Sequence, residues 1–167
     1  MSEVLIRRAA EQDLRALLDI YNYYVCTAHY TFDVEPRTLA QRGEWLRKFG
    51  ARGRHQCFVA EREGRTIGWS CSVAFKDRAA YDTSVETSVY LAPGEQGKGI
   101  GRRLYGALFE ALAREDVHRA FGGIAQPNEA SVALHVRMGF RHVGTYHEVG
   151  RKFGKYWDVA WYERAMS

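Results

Sequence analysis

The sequence predicts an α+β fold with a mixed sheet, and three observations carry that prediction. The first is a β-type segment, residues 84–91, that passes through Ala92-Pro-Gly-Glu95 into a helical pattern with apolar residues at Ile100, Leu104, Leu108 and Leu112. The second is a pair of β-type runs, 56–62 and 66–75, joined by the glycine-bearing turn Glu63-Gly64-Arg65. The third is the order of elements along the chain, β-α-α-β-β-β-α-β-α-β-β. In that order, the strand after the central helix can lie parallel to 84–91 and complete a right-handed crossover.

Each element has its own local signal. Residues 4–8 read as a short opening strand, and 11–25 as a helix with Leu14, Leu17, Leu18 and Tyr21 on one face. The aromatic cluster Tyr21-Asn-Tyr-Tyr24 reads as core or helix-end packing. A loop over 27–36 holds His29, Tyr30, Phe32 and Asp33. Thr38 is the expected N-cap of the next helix, whose buried stripe is read as Leu39, Trp45, Leu46 and Phe49. Residues 50–54 break that helix, and 76–82 form a polar loop before the central strand. Beyond the central helix come a strand at 117–126 and a helix at 128–138 closed by Gly139. Strands at 140–149 and 157–163 follow, joined by a basic connection over 150–154. No repeat, low-complexity tract or linker interrupts this run, so the expectation is one domain over 1–167.

Composition bounds the function. At 167 residues and 46% hydrophobic content, the chain is long enough for a real core without staples. No apolar run approaches the ~20 residues of a membrane span, and Met1-Ser-Glu-Val lacks a basic-then-apolar leader. The three cysteines, Cys26, Cys57 and Cys71, are an odd count without metal spacing, and the six histidines form no paired ligand motif. The expectation is therefore a cytoplasmic protein with small buried thiols and no metal. The net charge of +4 is scattered, with no Lys/Arg run, which disfavours nucleic acid as a partner. A modest positive excess suits a phosphorylated cofactor or a carboxylate substrate equally well.

The glycine-rich turn Gln96-Gly-Lys-Gly-Ile-Gly101 carries the chemistry. Glycines let a ligand approach bare backbone, and the first amides of a helix are unpaired at the positive end of its dipole, an arrangement that invites an anion. Arg102 and Arg103 oppose the dipole in that first turn unless a polyanion is bound. A nucleotide P-loop is excluded because Gly101 is followed by Arg102 rather than Ser or Thr. A dinucleotide fingerprint is excluded because the slot of its third glycine holds Arg102 or Leu104. What remains, Gln96-x-x-Gly99-x-Gly101, resembles the coenzyme A pyrophosphate loop of the GNAT superfamily of N-acetyltransferases. A second constellation, Asn128, Ser131, Leu134, His135, Gly139 and Phe140, is similar to that superfamily's other cofactor-contacting segment. Taken as residues alone it is a capped amphipathic helix with Ser131 and His135 near one face. Within the superfamily the chain resembles the phosphinothricin acetyltransferase group, which includes acetylators of methionine sulfoximine and methionine sulfone. The likeness runs through Ile20-Tyr-Asn22, Phe32, Glu35-Pro36, Ala80-Tyr81-Asp82, Val85-Glu86-x-Ser88-Val-Tyr90 and Lys152-Phe-Gly-x-x-Trp-Asp-Val159.

The resemblance implies a mixed, mostly antiparallel central sheet flanked by helices, and transfer of acetyl from acetyl-CoA to a primary amine by direct attack. Glu86 and His135 match the group's proposed acid–base pair. Val89, Tyr90 and Leu91 are then expected to offer main chain to the pantetheine arm. Gly97, Lys98, Gly99, Ile100, Gly101 and Arg102 would hold the pyrophosphate, and Asn128 would close from the other side. For an amino-acid acceptor, Lys76 and Arg78 are the expected cations and Phe32 and Tyr81 the expected walls, with Lys152 a further cation. A homodimer is implied by the resemblance alone. The other readings are a different small amine or a peptide N-terminus as acceptor, or an acyl-CoA-binding domain without turnover. The presence of both Glu86 and His135 argues against the last.

Overall fold

The computed structural model describes residues 2–166. Seven strands, β1 (Val4–Arg8), β2 (Cys57–Arg62), β3 (Arg65–Ala74), β4 (Ser84–Leu91), β5 (Arg119–Ala125), β6 (Arg141–Lys152) and β7 (Lys155–Ala165), form one sheet in the order β1-β2-β3-β4-β5-β7-β6. Only β4 and β5 pair in parallel, so the sheet is mixed and mostly antiparallel, as expected. Helices α1 (Leu14–Thr27) and α2 (Leu39–Leu46) pack on one face of the sheet, and α3 (Ile100–Leu112) and α4 (Glu129–Arg137) on the other.

Local chemistry explains most boundaries. Thr38 caps α2 through a reciprocal pair: its hydroxyl accepts from Gln41 N, and its own N–H donates to the Gln41 side chain. Asn128 caps α4, and Gly139 leaves it at φ 86°. The region 150–154 differs from its reading as a connection. β6 runs on to Lys152 and β7 starts at Lys155, because Phe153 and Gly154 both take left-handed backbone and make a two-residue hairpin turn. Gly150 stays inside the strand pair, where the Phe32 ring occupies the space that a Cβ would fill.

Side-chain alternation along β4 divides the chemistry between the two faces. Val85, Val89 and Leu91 join the core beneath α3 with Leu104, Tyr105 and Leu108. Tyr90 joins the other cluster with Trp69, Leu17 and Ile20, and Glu86 and Ser88 share its side of the strand. The parallel contact with β5 is short: Ser84, Val85 and Glu86 pair with Arg119, Ala120 and Phe121, and there it ends. Beyond that point β4 stays on β3 as far as Leu91, and β5 stays on β7 as far as Ala125. The two central strands therefore part and leave a wedge in the middle of the sheet.

The loop between α1 and α2 is fastened from two sides. Lys152 is only 4% exposed, and its ammonium donates to the carbonyl oxygens of Ala28 (2.7 Å), Thr31 (2.8 Å) and Tyr24 (3.5 Å). The hairpin thus supplies a donor to carbonyls at the end of α1 and in the loop after it. Asp33 is gripped by the Tyr21 hydroxyl at 2.6 Å and by Nη2 and Nε of Arg37 at 2.7 and 2.9 Å. Replacing Lys152 by methionine should destabilise the fold by about 3 kcal/mol, since buried carbonyls lose their partner. A lower urea midpoint at unchanged slope is the expected readout.

Candidate active site

The glycine turn is built as a cradle. Gly97 and Gly99 both have φ 76°, in the left-handed region, and open space stands where their Cβ atoms would be. Gly99 is the N-cap of α3 without any side-chain cap, and the helix's first turn carries no acid. The first helical bond here is Arg103 N–H to Gly99 O, so the amides of 100–102 that open α3 have no partner within the helix. That is a nest of donors at the positive end of a thirteen-residue helix. The turn is braced from α1: the Tyr24 hydroxyl donates to Leu91 O and accepts from Gln96 Nε2, while Gln96 Oε1 accepts from Gly94 N–H. Tyr24, expected to pack, also braces the turn, and its partner is the glutamine that opens the glycine motif. The charged side chains divide their roles. Lys98 pairs with Glu95, and Arg103 donates to Val4 O, leaving Arg102 exposed beside the open amides.

The wedge runs from this cradle to Glu86. His118 N–H bonds to Thr83 O on the β5 side, and Ala92 N–H bonds to Ile67 O on the β3 side. Alternation therefore turns the peptide groups of Val89 and Leu91 toward the wedge and those of Tyr90 toward β3. Of the three residues expected to offer main chain, two face the gap, and the Leu91 carbonyl already accepts from Tyr24. The Tyr90 side chain stacks on Trp69 with ring centroids 4.9 Å apart, and burial pushes its phenol well above the usual tyrosine range.

A cavity of about 750 Å³ opens on the α1/α2 face, with Glu86, Ser88 and Tyr90 of β4 and Trp69, Cys71 and Val73 of β3 on its floor. The Glu86 carboxylate makes no hydrogen bond or ion pair among the described residues, and burial raises its pKa above the ordinary 4.5. Phe32 and Tyr21 stand in the wall. Cys71, a buried thiol as expected, is on the floor; burial lifts its thiol to about 12, so it carries no useful thiolate at neutral pH.

Lys76, Arg78 and Tyr81 are not on this cavity's lining. Lys76 and Tyr81 border a separate hollow with Arg54, Asp82 and Asp116, and the Lys76 ammonium sits 5.3 Å over the Phe75 ring. Lys152 is spent on the carbonyls described above. The cation that does reach the cavity is Arg42, a residue of α2 to which the sequence alone assigns no role. It is 4% exposed, 3.5 Å above the Trp45 ring and 4.7 Å from those of Tyr21 and Trp69. Leu39, assigned to the buried stripe of α2, is exposed instead.

His135 lies on the opposite face from Glu86. Its ring sits over Gly122 of β5 and is packed edge-on to Tyr105 and Phe140. Nδ1 lies 2.7 Å from the Ser131 carbonyl, an acceptor only, so Nδ1 carries the proton. Nε2 then accepts from the Tyr105 hydroxyl at 3.1 Å. Burial lowers the imidazole pKa and keeps the ring neutral. The fold does not bring Glu86 and His135 together as facing partners in one cavity. Asn128 spends its Oδ1 on the Ser131 amide and leaves only its NH₂ for a ligand. Among the described residues, no group of three His, Cys, Asp or Glu side chains is placed to hold a metal.

A sheet opened between two parallel strands, with an amide nest at the head of the gap, is the architecture of an acyl-CoA-dependent N-acyltransferase. The family model described as "Acetyltransferase (GNAT) domain" matches residues 6–161, and the chain belongs to that family. It is 55% identical to the phosphinothricin N-acetyltransferase of Streptomyces coelicolor, over 99% of this chain and 98% of that one. It is 31% identical to the L-methionine sulfoximine/L-methionine sulfone acetyltransferase of Pseudomonas aeruginosa, over 92% and 90% of the two chains. The crystal structure of a GNAT superfamily phosphinothricin acetyltransferase from Sinorhizobium meliloti, in complex with AcCoA, superposes with a TM-score of 0.92. It has 30% identity and covers 99% of this chain and 89% of that one. The cradle fits the same co-substrate: its donors are main-chain amides, no side chain caps the helix, and open space stands where Cβ atoms would be at Gly97 and Gly99. Replacing Gly99 by valine should lower acetyl-CoA affinity at least about tenfold by calorimetry, because the nest loses its left-handed turn. The same change should cost about 1–2 kcal/mol of stability in urea.

Proposed function

We propose that this chain transfers the acetyl group of acetyl-CoA to the primary amine of a small amino-acid-like acceptor of the phosphinothricin, methionine sulfoximine or methionine sulfone type. The observation that carries this reading is an unpartnered, half-buried carboxylate, Glu86, on the floor of a cavity that meets the wedge. The names of the similar acetyltransferases support the acceptor class.

An ammonium has no lone pair, so the acceptor must first lose a proton. Glu86 is the base, and its raised pKa brings it nearer the working pH than a solvated carboxylate would be. The freed amine forms the C–N bond to the acetyl carbon of the thioester as the C–S bond breaks. Of the two protons the nitrogen gives up, one goes to Glu86 and on to solvent, and the other balances the departing thiolate. The amides of Gly97 to Arg102 hold the pyrophosphate, and Val89 turns its peptide groups to the pantetheine arm. His135 acts as a positioning residue: through Tyr105 it steadies the back of β4, where Thr87 donates to Phe121 O at the point of parting.

For its surroundings we propose the cytoplasm, supported by three free cysteines, two of them buried; among the described residues, no helix is long and apolar enough to cross a membrane. A homodimer is supported by the edge strand β6, where Val143, Tyr146 and Val149 are exposed beside Phe153 and Tyr156. Sedimentation should give twice the chain mass, and Tyr146→Glu should shift it to that of a single chain.

Replacing Glu86 by glutamine should lower kcat by about 100-fold or more, measured as free thiol released with an acceptor panel. The acetyl-CoA Kd should stay within about twofold, because the cradle's amides are untouched. The limb of the pH–rate profile that titrates above 4.5 should vanish with the carboxylate. A carboxyl pKa raised by folding favours the fold in acid and loses that contribution as pH rises through the folded value. The glutamine variant should therefore melt no lower than the parent at neutral pH. A protein that binds acetyl-CoA yet releases no thiol with any amine would overturn the catalytic reading.

A further inference from the structure

Three side-chain polar atoms are buried without a partner among the described residues: Arg42 Nε, Arg42 Nη2 and Trp69 Nε1. All three belong to residues that line the cavity holding Glu86, and all three are N–H donors. Nε and Nη2 form the edge of a guanidinium that presents two parallel N–H groups, the geometry that matches two oxygens of one acid group. The rings of Tyr21, Trp45 and Trp69 surround the cation and fix its plane. Aromatic faces return part of what a cation loses on leaving water, but they do not replace the oxygen partners that a buried charge needs. The neighbouring acid is already committed: Asp33 is held by Arg37 and Tyr21. The guanidinium edge and the indole N–H therefore meet no acceptor among the described residues, although Glu86 and Glu44 also line the cavity.

Its position is as informative as its chemistry. Trp69 and Val73 lie four residues apart on β3, roughly 13 Å along the strand. Arg42 sits over Trp69, and Glu86 pairs with Val73. The guanidinium and the base are thus at opposite ends of one cavity floor, with Cys71 and Ser88 between them.

We infer that the Arg42 end of the cavity is a subsite for an anionic oxygen group, carboxylate or phosphinate, at the end of the acceptor remote from its amine. Arg42 Nε–H and Nη2–H donate to two of its oxygens, and Trp69 Nε1–H is the third donor. The inference rests on the acetyl-transfer reading for the identity of the bound molecule, and it makes Arg42 the residue that selects acceptors by tail charge.

The test compares phosphinothricin, whose tail is anionic, with methionine sulfone, whose tail is neutral, in the parent and in Arg42→Gln. The KM for phosphinothricin should rise by about 100-fold, that for methionine sulfone by less than about fivefold, with kcat and acetyl-CoA affinity near the parent values. Equal losses for both acceptors, or none for either, would overturn the subsite. Trp69→Phe removes one donor and keeps the ring, so it serves if the glutamine variant fails to fold. It should raise the phosphinothricin KM several-fold and spare methionine sulfone, and an equal effect on both counts against the subsite. Tryptophan fluorescence with phosphinothricin and no acetyl-CoA separates the two readings. Quenching that is lost in Arg42→Gln, in a protein that acetylates nothing, keeps the anion subsite and removes the transferase. Acetylation of other amines by a protein that phosphinothricin neither quenches nor inhibits does the reverse.

Discussion

The constraint on which the rest of the molecule depends is the early end of the β4–β5 ladder. Three residues pair in parallel and then the strands separate, each retained by its other neighbour. A main-chain donor or acceptor left unpaired inside a sheet costs free energy unless water or a ligand meets it. The gap beside Val89 is thus an internal sheet edge, shaped to accept an extended, polar arm much as an added strand would be accepted. The glycine turn stands at the head of that gap because the strand that forms one of its sides runs directly into the turn. One continuous segment, 84–102, thereby carries both the glycine turn proposed for the phosphates and the carboxylate proposed as the base.

Parting the sheet also separates the chemistry into two faces. On the α1/α2 side, Glu86 lies in a cavity without a partner, and burial alone raises its pKa. On the α3/α4 side, His135 has both ring nitrogens engaged, one by a main-chain carbonyl and one by Tyr105. Burial acts on both, and in both it favours the neutral form. The outcomes differ because the carboxylate opens on a space where a substrate ammonium can take the proton balance the other way, whereas the imidazole is closed in by Phe140, Tyr105 and the α4 backbone. A base must exchange protons with a substrate, and of the two groups only Glu86 faces the space where one fits.

What the sequence made legible follows the range of the forces involved. The bounds of β4, the Thr38 cap, the Gly139 exit and the helix opened by Gly99 are local, and period, cap and turn chemistry within a few residues determine them. On α2 the expected stripe is wrong at Leu39 and omits Arg42, because a stripe argument takes only apolar residues for the core. Arg42 is buried by rings drawn from α1, α2 and β3, and no window on α2 contains that information. Gly150 reads as part of a connection for a related reason: its lack of a side chain serves Phe32, more than a hundred residues earlier, rather than the local backbone. Lys76, Arg78 and Tyr81 have the right chemistry for an acid group, but the hairpin geometry that carries them past the cavity is a tertiary fact.

The two buried cations show how partners separate scaffold from site. Lys152 and Arg42 are equally hidden, each 4% exposed. Burying a charge is tolerable only when other groups replace the water it lost. For Lys152 the replacement is complete, with three carbonyl oxygens around the ammonium, and the result is a wall: the loop bearing Phe32 is held against the hairpin. For Arg42 the replacement is partial. Three rings supply their faces, but the planar edge that would satisfy the guanidinium's strongest donors meets no oxygen. Both residues cost the fold something to bury, yet only the first recovers that cost from the chain itself. The second completes its shell with a group from outside the chain, which is the physical difference between a structural cation and a binding one.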